Sequence, residues 1–110
     1  MVAEDNDSNY SLVKHILKDY DIIRVSNGVE AVEKVRYGKF DFVLMDLKMP
    51  IMGGLEATRK IREFDRHIPI IALTANAFDS DRVSAVDAGC SAFLAKPVKK
   101  GQLLELLSVK

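Results

Sequence analysis

The sequence is poor in most of what marks a specialised surface. It has one cysteine, Cys90, in 110 residues, no tryptophan, and 7% aromatic residues. A single thiol excludes an internal disulfide and any multi-cysteine metal site, and Cys90 reads as a small half-buried residue at a turn. Charge of one sign is also missing. Sixteen Lys and Arg balance sixteen Asp and Glu, whereas nucleic-acid and anionic-membrane surfaces usually carry surplus Lys and Arg. Neither kind of partner is expected. Long apolar runs are absent: no N-terminal stretch resembles a signal peptide, and none approaches the ~20 residues that cross a bilayer. Repeats, low-complexity tracts and the phosphate-cradling patterns GxxxxGK[ST] and GxGxxG are missing as well. His15 and His67 stand alone in unrelated segments and read as surface residues. What remains is 48% hydrophobic, enough for a core, in a length that leaves no room for a second domain. A soluble domain of a reducing, cytoplasmic compartment is the expectation.

What is present alternates. Met1-Val2-Ala3 is a stub of strand. Residues 8–18 place Leu12, Val13, Ile16 and Leu17 at helical spacing. Residues 22–25 form a short strand, and Arg24 within it marks an edge. Residues 29–37 make a second helix with Ala31, Val32 and Val35 inward and Gly38 as its stop. Phe42-Val43-Leu44-Met45 is apolar throughout, as in a strand covered on both faces. A helix over 55–64 follows, with Leu55, Thr58 and Ile61 inward, then the buried strand Ile70-Ile71-Ala72-Leu73 behind Pro69. Asp79 is placed to cap a helix that ends at Gly89. Ala92-Phe93-Leu94-Ala95 is a last strand, and Leu103, Leu104, Leu106 and Leu107 mark a last helix. Strands alternating with helices in this way call for a parallel sheet between two helical layers. At this length the economical form is a flavodoxin-like, doubly wound α/β sheet of order 2-1-3-4-5.

Such a sheet binds ligands outside the carboxyl ends of its strands. Those ends carry Glu4-Asp5, Asp46, Thr74 and Lys96, while the edge strand ends in Ser26-Asn27-Gly28. Each has a plain explanation alone: Glu4, Asp5, Asn6 or Asp7 could cap the first helix, and the others could be loop or surface groups. Their convergence is harder to explain so. Three carboxylates brought together repel one another unless a cation joins them. Oxygen-only ligands in an open site suit Mg²⁺, which keeps several waters and adds phosphate oxygens. Lys96 and the Thr74 hydroxyl would complete a cradle for a dianionic group.

The motifs Ala3-Glu4-Asp5-Asn6, Met45-Asp46-Leu47-Lys48-Met49-Pro50-Ile51-Met52-Gly53-Gly54, Leu73-Thr74-Ala75-Asn76-Ala77 and Lys96-Pro97 resemble the response-regulator receiver domain of two-component signalling, over essentially the whole of residues 1–110. Their wording, with Leu55 to Thr58, is similar to receivers of hybrid sensor histidine kinases. The resemblance implies that Asp46 is the phosphoacceptor and that Asp5, Glu4, Asp46 and the backbone carbonyl of Lys48 hold Mg²⁺, with Mn²⁺ as a substitute. It implies that Thr74 donates to a phosphoryl oxygen, that Lys96 pairs with its charge, and that Phe93 is the switch aromatic, with a plain core aromatic as the lesser alternative. Lys48 and Asn76 would flank the water that hydrolyses the acyl phosphate, and Lys96-Pro97 would be cis. Implied partners are a sensor histidine kinase or a histidine phosphotransfer domain, with a possible homodimer through the face of helix four, strand five and helix five.

The pattern departs from the family in places. Only three apolar residues precede the acidic pair, so the first strand is expected to be truncated and to pair poorly. The last helix should end early, and Lys99-Lys100-Gly101 gives it no acidic or hydroxyl cap. Glycine is lacking around Tyr20-Asp21, and Gly53 stands where relatives often carry Asp or Asn. Two rivals are a phosphorylation-independent pseudo-receiver, which ordinarily lacks some of these residues, and a flavodoxin-like cofactor binder, whose phosphate would meet Glu4-Asp5-Asn6-Asp7.

Overall fold

The computed structural model describes residues 1–75 and 79–108. Strands and helices alternate in chain order: β1 (Val2–Ala3), α1 (Asp7–Ile16), β2 (Arg24–Val25), α2 (Gly28–Tyr37), β3 (Val43–Asp46), α3 (Gly54–Arg62), β4 (Ile70–Thr74), α4 (Asp79–Ala88), β5 (Ala92–Ala95) and α5 (Lys100–Ser108). All strand pairs are parallel, in the order β2-β1-β3-β4-β5. The doubly wound sheet expected from the alternation is the one found, with Arg24 on an edge strand.

Strand alternation divides the core in two. Ala3, Val43, Met45 and Ile70 face a layer that includes Ala31, Val32, Val35, Ala57 and Ile61 of α2 and α3. Val2, Leu44, Ile71, Leu73 and Leu94 face Val13, Ile16 and Leu17 of the α1 region and Leu103 of α5. Burying a Leu or Ile side chain of this kind stabilises by about 1.5–3 kcal/mol.

Local chemistry sets the helix starts. Asn6 caps α1 by accepting from the Asn9 amide at 3.0 Å, so of the residues that could cap this helix, Asn6 does so. Asn27 caps α2 by accepting from Glu30 N at 2.9 Å, while Glu30 Oε1 reaches back to Ser26 N at 2.9 Å. α3 has no side-chain cap. It starts instead where Gly54 lies against β3, and a Cβ there would overlap the Asp46 carbonyl oxygen.

Several expectations need correction. The inner face of α3 is Gly54, Ala57, Thr58 and Ile61, with Leu55 only half buried, because small residues permit the close approach to β3. β2 is two residues long rather than four, since it pairs only with the two residues of β1. α4 begins at Asp79 itself, which puts its cap position at 78, outside the described residues. α5 opens at Lys100, within Lys99-Lys100-Gly101 as expected. β1 pairs on both sides despite its length. Val2 N donates to Ile23 O at 2.8 Å, Glu4 N to Val25 O at 3.0 Å, and Leu44 N to Met1 O at 2.9 Å. The Arg24 guanidinium adds bonds to Glu4 O at 3.0 Å and Asp5 O at 3.3 Å.

The contact between Gly54 and Asp46 can be tested directly. Gly54→Ala should lower stability by about 1–3 kcal/mol through overpacking, read as a lower urea midpoint at unchanged slope. An unchanged midpoint would mean that α3 and β3 are not held this close.

Candidate functional site

The carboxyl ends of β1, β3, β4 and β5 meet at one rim of the sheet. Because β1 and β3 are neighbours, with Ala3 in register with Met45, the next residues, Glu4 and Asp46, emerge side by side. Glu4 is fully buried, Asp46 is 4% exposed, and Thr74, the last residue of β4, is 2% exposed. Asp5 faces solvent. Oxygens of Glu4, Asp5 and Asp46 all lie within 4.8 Å of one another.

Lys96 reaches this acid cluster from beyond β5. Its backbone N donates to Thr74 O at 2.7 Å, and the Lys96-Pro97 peptide is cis. The ammonium, on a side chain 13% exposed, stands 2.9 Å from Asp46 Oδ2 and 2.9 Å from Glu4 Oε1. Its contact with Asp46 has hydrogen-bond geometry. At Glu4 Oε1 it does not, which leaves that buried oxygen without a hydrogen-bond partner among the described residues. The other Asp46 oxygen, Oδ1, accepts from Lys48 N at 3.1 Å. Glu4 Oε2 accepts from Asn6 N at 3.3 Å.

These neighbours set the charge states. Burial, reinforced by the Asp46 carboxylate, pushes the Glu4 carboxyl up to about 7, against the opposing pull of Lys96. Burial also works to lower the Lys96 ammonium, but the Asp46 and Glu4 carboxylates outweigh it and hold the group above its ordinary value. The cluster is therefore acid-rich, and its donors are all oxygens. An incompletely satisfied buried carboxylate beside two others matches what a hard divalent cation requires.

The loop after β3 is drawn tight around Asp46. Gly54 N donates to Leu47 O at 3.1 Å, and Gly28 N at the start of α2 donates to Met52 O at 2.9 Å. Between them Met52 N bonds Pro50 O at 2.7 Å, closing a γ-turn on Ile51, whose φ is 70°. A β-branched residue seldom takes that conformation, and this one is 83% exposed.

The structure brings together Glu4, Asp5, Asp46 and Lys96, with Thr74 on the adjoining strand end. Lys48 joins them through its amide. Phe93 is half buried on β5, with the Arg82 guanidinium 5.9 Å from its ring centroid. Asn76 lies outside the described residues. His15 and His67 are exposed, and Cys90 is half buried with its thiol 3.7 Å from the Thr58 hydroxyl. Two residues that no motif marked belong here. Asp81 of α4 accepts from the Thr74 hydroxyl at 3.3 Å, and Arg24 holds the backbone of Glu4 and Asp5. A cleft lined by Met1, Tyr20, Ile22, Phe40 and Phe42 lies at the far end of the sheet and shares none of the clustered groups. Among the described residues no helix is long and apolar enough to cross a membrane.

Known proteins share this arrangement of strands. The family description "response regulator receiver domain" matches residues 1–108. The chain is 36% identical over 111 residues to the polar-differentiation response regulator DivK of Brucella anthropi, covering 97% of this chain and 90% of that protein. It is 39% identical over 119 residues to hybrid signal transduction histidine kinase B of Dictyostelium discoideum, covering 94% of this chain but 6% of that protein. The receiver domain of sensor histidine kinase PA1611 from Pseudomonas aeruginosa PAO1, described with a magnesium ion in its active site cleft, has a TM-score of 0.89. It is 38% identical, over 96% of this chain and 90% of that one. A chain from the co-crystal of the Saccharomyces cerevisiae histidine phosphotransfer signaling protein Ypd1 with the receiver domain of Ssk1 has a TM-score of 0.88. It is 30% identical, over 97% of this chain and 83% of that one. The parallel sheet, its acidic rim and these matches place one conclusion beyond the fold alone: the chain belongs to the response regulator receiver domain family of two-component signal transduction.

Proposed function

We propose that this chain accepts a phosphoryl group on the carboxylate of Asp46 from a phosphohistidine on a sensor histidine kinase or histidine phosphotransfer domain. The observation that carries this reading is the position of the Lys96 ammonium, 2.9 Å from both Asp46 and Glu4, beside three carboxylates whose oxygens cluster within 4.8 Å. An Asp46 oxygen attacks phosphorus, the P–N bond breaks, and the imidazole leaves as an acyl phosphate forms. Phosphoryl transfer asks the protein mainly for in-line positioning and charge neutralisation. Lys48 N and Lys96 Nζ fix the two Asp46 oxygens, and Lys96 then meets the transferred charge. Thr74 would give its hydroxyl to a phosphoryl oxygen, with Phe93 following, so that the face of α4, β5 and α5 changes its populated conformation.

Glu4, Asp5, Asp46 and the Lys48 carbonyl are the groups that would hold Mg²⁺, or Mn²⁺ in its place. When bound, the ion neutralises charge on the transferring phosphoryl oxygens. The donor that would reach this rim is a histidine phosphotransfer domain or kinase of the cytoplasm, and the face of α4, β5 and α5 would serve for homodimerisation. A phosphorylation-independent interaction module would have no need to keep the acidic pair, Asp46 and Lys96 together.

Three outcomes are expected. Incubation with acetyl phosphate and Mg²⁺ should add the mass of one phosphoryl group, and Asp46→Ala should abolish the gain; a gain that persists removes Asp46 as acceptor. Mg²⁺ at about 100 times its Kd should raise stability by about 2.7 kcal/mol, seen in thermal unfolding, and Asp5→Ala should remove most of that rise. Lys96→Ala should still bind Mg²⁺ yet lose the spectral change that beryllofluoride induces, and an unaltered change would dismiss its role in switching.

A further inference from the structure

Thr74 has a competing commitment. Its hydroxyl donates to Asp81 Oδ2 at 3.3 Å, across from the end of β4 to the first turn of α4. Thr74 itself is 2% exposed and Asp81 half buried, so the contact lies partly out of water. The Thr74 backbone is fixed by the ladder, in register with Ala95 and accepting from Lys96 N. Only the side chain is left to move. A hydroxyl has one proton to donate, and while Asp81 takes it, no phosphoryl oxygen on Asp46 can.

The neighbouring residue repeats the arrangement. Arg82, next along the same turn, holds its guanidinium 5.9 Å from the centroid of the Phe93 ring, within cation–π reach. One turn of α4 therefore engages both residues assigned to the switch.

We propose that Asp81 is a positioning residue that sequesters the Thr74 hydroxyl at rest and so opposes the phosphorylated conformation. This rests on the acceptor reading above. By linkage, anything that draws the first turn of α4 away from Thr74 favours phosphorylation, and phosphorylation releases that turn by the same factor. The resting bias is then adjustable at Asp81 without touching the acceptor or the metal acids.

The test is a titration with beryllofluoride in excess Mg²⁺, followed by amide chemical shifts of the full chain. Asp81→Ala should bind about three- to tenfold more tightly than wild type, the range expected when a hydrogen bond that opposes binding is removed. Removing a negative charge near an anionic ligand could also tighten binding, and a double-mutant cycle separates the two. In a Thr74→Val background, Asp81→Ala should change Kd by less than about twofold. In Thr74→Ser, which keeps the hydroxyl, the full effect should return. Equal tightening with and without the hydroxyl, or none in the single variant, overturns the role of Asp81 while leaving Asp46 as acceptor. Failure of the wild-type chain to bind beryllofluoride overturns the acceptor reading and this one with it.

Discussion

The structure depends on one ammonium group held between two buried carboxylates. Glu4 and Asp46 leave adjacent parallel strands in register, so the topology itself forces like charges together, and Asp5 adds a third at the solvent side. Without a counter-charge such an arrangement opposes folding, because burial and mutual repulsion both favour the neutral acids. Lys96 arrives from two strands away and touches both. The ends of β1, β3 and β5 are thereby tied through side chains at the rim where their ladders finish. Glu4 is the less well satisfied member: burial and Asp46 drive it toward neutrality, and its Oε1 has the Lys96 ion pair but no hydrogen-bond partner among the described residues.

The tight approach of the backbone around Asp46 serves the same end. Gly28 and Gly54 let α2 and α3 close on the loop after β3, where a side chain would strike Met52 O or Asp46 O. The loop absorbs the remaining constraint at Ile51, whose left-handed backbone costs on the order of 1–3 kcal/mol. Its exposed side chain gains nothing from packing in return. Strain beside Asp46 is tolerated because the strands on one side and the helices on the other over-determine the turn.

Much of this was legible in the sequence because period and strand ends are local properties. Four apolar residues before Asp46, and four before Thr74, announce buried strands, and the groups that close them must share a rim once the strands are parallel. What stayed hidden depends on orientation between elements. Asp81 and Arg82 look like any charged pair on a helix with little amphipathic character, and only the setting of α4 against β4 and β5 aims them at Thr74 and Phe93. On α3, hydrophobicity alone points Leu55 inward, whereas closeness to β3 selects Gly54 and Ala57. The pairing of β1 is hidden for a related reason. A strand count misses the bonds that Met1, Glu4 and the Arg24 side chain contribute around its two residues.

Arg24 has a consequence beyond the site. β2 is the open edge of the sheet next to β1, and an edge of unpaired backbone is a template for another chain's strand. Here the edge has only two residues in the ladder, and one of them is an arginine. Its guanidinium lies over the Tyr10 ring at 4.4 Å and pairs with Asp7 at 2.9 Å while bonding the backbone of Glu4 and Asp5. The charge that braces Glu4 and Asp5 from behind thus also sits on the flank most open to intermolecular pairing, so the residue that steadies the site also discourages aggregation.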